Sequence, residues 1–160
     1  MTDQTNAFHS TAFHGTWRLL SMQTRFADGR TIAPYGESPL GFITYTDQGH
    51  MHAILMHAER ESISMSIEAF SRRSKASQAL YLLTHPGIIG RTMNAALRST
   101  AYSGSWEVSG KQVVHKVQAA TLPEWIGSVL ERTFHFEGNC LRLSAHYASG
   151  DIIDLLWERI

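Results

Sequence analysis

GSVLERTFHF-EGN-CLRLSAHYA-SGD-IIDLLWER, residues 127–159, alternates apolar and polar side chains through three runs joined by two three-residue links. Period-two alternation is the pattern of a half-buried strand, because successive side chains point to opposite faces of a sheet. Glu137-Gly138-Asn139 and Ser149-Gly150-Asp151 each offer a glycine where a tight hairpin needs positive φ. The stretch therefore predicts three antiparallel strands in a meander, Gly127 to Phe136, Cys140 to Ala148 and Ile152 to Arg159.

The same grammar holds upstream. Thr16 to Arg25, Leu40 to Thr46, His50 to His57, Ala101 to Val108 and Gln112 to Ala119 read as strands, with Asp47-Gln48-Gly49 and Ser109-Gly110 as tight links. Asp28-Gly29 opens a longer loop through Pro34 and Gly36. Between Ser62 and Arg98 the pattern turns helical, with Ile67, Phe70, Leu80 and Leu83 as apolar positions. His85-Pro86-Gly87 predicts a break there, before a second piece around Met93 to Leu97. The expectation is an all-β fold with a helical insertion, in which eight antiparallel strands close into a barrel large enough for one small ligand. A two-sheet sandwich is the alternative. The absence of proline from the central strands and the simple hairpin order favour the barrel.

Composition narrows the function classes. The 160 residues carry 14 Lys+Arg against 14 Asp+Glu, and 18% are charged, below the roughly 25% usual in such domains. With neither net charge nor a basic block, the chain lacks the electrostatic footprint of a nucleic-acid or anionic-membrane binder, so neither partner is expected. The length suits one domain, residues 14–160, preceded by a flexible arm over residues 1–13. Met1 to His14 lacks the basic start and apolar run of a secretory signal, which predicts a cytoplasmic protein. Cys140 has no cysteine partner and reads as a buried or half-buried thiol.

Alternation also says which polar groups face inward. Val113, His115 and Val117 share a face, as do Leu130, Arg132, Phe134 and Phe136. His115 is thereby either a core histidine bonded to a carbonyl or to Tyr102, a ligand contact, or a general acid/base. Arg132 either stacks on Trp17 or pairs with a carboxylate, or else holds a ligand oxygen through a forked, charge-assisted contact. Tyr102, Trp106, Trp125 and Phe134 supply aromatic walls, while Tyr45 and Tyr147 supply hydroxyls. His50 and His52 share a face at the spacing of a metal pair, but Met51, Ala53 and Leu55 claim the core side and no third ligand follows. Nothing marks an axial haem ligand among His52, His57 and His115, so neither metal nor cofactor is expected.

Gly15-Thr16-Trp17 at the first strand resembles the glycine-x-tryptophan signature of the calycin superfamily. Further positions fit in order: Gly41, Tyr45-Thr46-Asp47, Gly49 with Met51, Tyr102 with Gly104, His115, Pro123 with Trp125 and Gly127, and Arg132 with Phe134. Together they make the chain from Gly15 to Arg159 similar to the bacterial and fungal lipocalin-like domain family. The resemblance implies an eight-stranded calycin barrel whose sealed end carries an arginine across Trp17, with Arg159 as the match and Arg132 as the rival. It also implies a carrier or sequestering protein for a small apolar or aromatic molecule, as a monomer or homodimer. The alternative is a cofactor-independent cyclase, isomerase or hydro-lyase of specialised metabolism. In that case His115 is the acid/base, Arg132 the oxyanion stabiliser, and the insertion about 62–98 a lid. The insertion exceeds the family's usual length.

Overall fold

The computed structural model describes residues 10–63 and 65–160. Among these, nine strands form one antiparallel sheet: β1 (Gly15–Arg25), β2 (Thr31–Ile32), β3 (Leu40–Tyr45), β4 (His50–Met56), β5 (Ser99–Ser109), β6 (Gln112–Ala120), β7 (Val129–Glu137), β8 (Cys140–His146) and β9 (Ile152–Arg159). Neighbours follow chain order from β3 to β9, and β1 pairs with both β3 and β9. The eight long strands thus close into a barrel, and β2 adds only a two-residue ribbon to the far end of β1. Closure removes the free edges that an open sheet would expose.

The inner face follows the alternation. Met51, Ala53 and Leu55 are buried on β4 while His50 and His52 are exposed on its other face, and Val113, His115 and Val117 are buried on β6. Among the described residues no three metal-ligating side chains converge, and no helix is long and apolar enough to cross a membrane. Gly104 is required by close approach. At the bulge between Ser103 and Gly104 a Cβ would overlap the Lys116 carbonyl of β6, so any side chain there would push the two strands apart.

Residues 10–13 depart from the flexible arm expected over 1–13, whose residues 1–9 lie outside the described ones. They form a helical turn that delivers Phe13, 0% exposed, into the barrel. Its ring meets Tyr45, Phe134 and Phe136 edge-on at 5.1, 5.0 and 5.0 Å, and lies 5.6 Å from Trp106. The Trp17 indole donates to the Phe13 carbonyl at 2.9 Å. The physical reason is aromatic burial, which repays ordering a short segment that carries no periodicity of its own. Across Trp17 lies the Arg159 guanidinium, 4.1 Å from the ring, donating to the His14 and Ala12 carbonyls. Arg159 is the residue that stacks there, and it sits opposite Trp17 in the β1–β9 register.

The second compact unit, 59–98, is inserted between β4 and β5 and is helical. It holds α1 (Ile67–Ser71), α2 (Lys75–Thr84) and α3 (Pro86–Leu97). Ser66 and Ser74 cap the first two helices with their hydroxyls. The break falls at His85, but α3 resumes at Pro86 itself rather than near Met93. Proline is well suited to the first turn, where its missing N–H has no intrahelical partner anyway. Ile67, Leu80 and Leu83 are exposed, while Tyr81 packs between Phe70 and His85.

Candidate functional site

Away from the Phe13 plug, the barrel holds a cavity of about 230 Å³. Its wall is built from Met22, Tyr35, Ile43, Leu55, Thr100, Tyr102, Leu122, Trp125, Arg132, Leu143, Tyr147, Ile153, Leu155 and Trp157. The strands contribute side chains of one parity from each wall. Tyr147 follows β8 and Trp125 ends a short 3-10 turn, Pro123–Trp125, after β6. A wall of aliphatic and aromatic groups with a few polar ones is the usual lining of a small-molecule site.

Of the residues singled out in the sequence, Tyr102, Trp125, Arg132 and Tyr147 stand on this wall. Tyr45, Trp106 and Phe134 do not; they pack around Phe13 at the sealed end. Parity tells inside from outside, but it does not tell depth along the barrel axis, which depends on where the plug stops. Tyr35, Thr100 and Trp157 were not singled out. Trp157 shares the inward parity of Ile153 and Leu155, a signal present in the last strand, whereas Tyr35 lies in a loop with no periodicity. The Tyr35 and Thr100 hydroxyls bond to each other at 2.7 Å.

His115 is 1% exposed and lies behind the wall. Its Nε2 is 2.9 Å from the Tyr45 hydroxyl and its Nδ1 is 3.1 Å from the Tyr102 hydroxyl. Both ring nitrogens are therefore engaged. Burial pushes the imidazole pKa down from 6.5 to about 3, and the nearby Arg132 charge pushes the same way, so the ring is neutral. Burial likewise raises Tyr102 to about 12 and Tyr45 well above 10.0, with Arg132 opposing both shifts. These three groups form a neutral hydrogen-bonded row beside one cation. Arg132 donates to the carbonyl of its own neighbour Glu131 at 3.0 Å. Among the described residues no carboxylate lies within ion-pairing distance of it.

A family model described as a lipocalin-like domain matches residues 14–160. The 4'-hydroxy-3'-methoxypropiophenone carrier protein ppsC of Aspergillus oryzae is 40% identical over 52 residues, which are 28% of this chain and 47% of that protein. The match thus spans about half the length of this curated relative. Among solved structures, a lipocalin-like protein from Bacteroides uniformis is 14% identical, with a TM-score of 0.45 over 92% of this chain and 98% of that one. A de novo designed fluorescence-activating β-barrel is also 14% identical, with a TM-score of 0.42 over 94% of this chain and 96% of its own. The fluorescent protein UnaG is 10% identical, with a TM-score of 0.39 over 94% and 98%.

Proposed function

The chain belongs to the lipocalin-like domain family, and from that premise we propose that it is a cytoplasmic carrier that holds one small aromatic molecule in the barrel cavity. The carrying observation is the cavity of about 230 Å³ with Tyr102, Trp125, Tyr147 and Trp157 among its walls. A cavity of about 150 Å³ already accepts benzene, so this one suits a substituted ring or a fused pair. The matching segment of a protein named as the carrier of an aryl ketone supports the same ligand class. A lone Cys140, free of any disulfide, suits a reducing compartment.

The cyclase or isomerase alternative asks His115 to exchange a proton with a substrate. That imidazole is bonded on both nitrogens and lies behind Tyr102. With its pKa near 3 it is a weak base at neutral pH. Binding without turnover is the simpler use of this geometry.

The test is a panel of one- and two-ring arenes screened by thermal shift and native mass spectrometry. A ligand at 100 times its dissociation constant adds about 2.7 kcal/mol, which is a rise of roughly 5–10 °C in a domain of this size. Leu143→Trp, which fills the cavity, should abolish the rise. If no arene stabilises the protein or rides with it into the gas phase, the carrier reading fails.

A further inference from the structure

The cavity wall is short of acceptors. Arg132 is its only charged residue, and among the described residues no carboxylate answers it.

A second donor follows from the proton positions along the Tyr45–His115–Tyr102 row. A neutral imidazole carries one N–H and one bare nitrogen. The Tyr45 hydroxyl is buried at 1% exposure, and His115 Nε2 is its hydrogen-bond partner among the described residues. If Nε2 carried the proton, Tyr45 would accept it and its own O–H would point at nothing, at a cost of about 1–3 kcal/mol. Tyr45 therefore donates to Nε2, the proton sits on Nδ1, and Nδ1–H donates to the Tyr102 oxygen. The Tyr102 O–H is left over, on a residue of the cavity wall. Accepting one bond polarises it for donating the next.

Building on the carrier reading above, we infer that the cavity selects an aromatic ligand bearing an anionic oxygen group, a carboxylate or an acidic phenolate, recognised by the Tyr102 hydroxyl and the Arg132 guanidinium. A pure hydrocarbon would fill the volume and leave these donors unpaired. A cation would meet Arg132 with like charge. An oxyanion supplies acceptors for the donors and the counter-charge that a half-buried guanidinium lacks.

The experiment compares 2-naphthoate with its methyl ester, titrated calorimetrically at pH 7 into the wild-type chain and into Arg132→Gln and Arg132→Lys. In the wild type the acid should bind about ten- to a hundredfold more tightly than the ester, the range expected for a charge-assisted contact. Arg132→Gln should erase that preference while still binding the ester. Arg132→Lys, which keeps the charge but not the fork, should retain part of it and serves if the Gln variant does not fold. Equal affinities in the wild type, or a preference that survives Arg132→Gln, overturn the anion assignment and leave the carrier reading standing. Failure of both compounds to bind also overturns the anion assignment, and the carrier reading then stands or falls with the arene panel.

Discussion

Acid should loosen this barrel through His115. Its pKa is about 3 in the folded state against an ordinary 6.5, because the ring is buried and Arg132 lies nearby. Between those two values the unfolded chain binds a proton that the folded chain refuses, so stability falls as pH falls. The loss begins near 6.5 and ends near 3, at about 1.4 kcal/mol per pH unit. From pH 7 to pH 5 it amounts to about 2 kcal/mol, or roughly 4–8 °C in melting temperature. Asp28 and Glu68, whose carboxyls are held below their ordinary values of 3.8 and 4.5, act only at lower pH and leave this window clear. Urea unfolding at half-unit steps from pH 7 to 5 reads the slope. The His115→Gln variant supplies the control, since it can be less stable overall yet must be flatter in pH by the same 2 kcal/mol or so. The reasoning is refuted if wild type and variant run parallel across the window. It is equally refuted if nitrogen NMR finds His115 titrating near 6.5.

Four further outcomes test the seal, the sheet and the inserted helices. Phe13→Ala should cost about 3 kcal/mol in urea unfolding, as for a fully packed aromatic ring, whereas a side chain on a loose arm would cost under about 0.5 kcal/mol. Arg159→Gln loses the stack on Trp17 and leaves the Ala12 and His14 carbonyls without a charged donor; about 2–3 kcal/mol should go, and Arg159→Lys should not restore it. Gly104→Ala should cost at least about 2 kcal/mol by forcing β5 from β6. Gly90→Ala, in α3 where an added Cβ meets nothing, should raise helical stability by up to about 1 kcal/mol. Hydrogen exchange across 86–97 would register that gain, and a loss of protection there would count against the helix.

Much of the barrel was legible because its code is local. The alternation at Val113, His115 and Val117, and at Leu130 to Phe136, sets which side chains enter the interior, and the glycine links set the hairpins. What escaped was non-periodic or two-faced. β2 is two residues long and makes no pattern. Pro86 can end one helix or begin another, and only the packing of the chain after it decides. In the site, parity placed His115 and Arg132 inside but could not distinguish a cavity wall from a plugged end. That distinction is drawn by Phe13, whose role in the core no spacing announces. Tyr45, Trp106 and Phe134 surround that plug, and Tyr102, Trp125, Arg132 and Tyr147 remain on the hollow side.

The β1–β9 pairing has a consequence for how the protein is made. Arg18 and Glu158, joined across that seam, are 140 residues apart in sequence. A nascent chain carries β1 long before β9, the strand that covers its edge, has been translated. Throughout that interval one side of β1 is an open template for pairing with a neighbouring chain. The same late strand brings Ile153, Leu155 and Trp157 to the cavity and Arg159 to the seal. No stretch of the polypeptide before β9 can enclose the cavity by itself, so the hollow exists only once that strand has docked on β1.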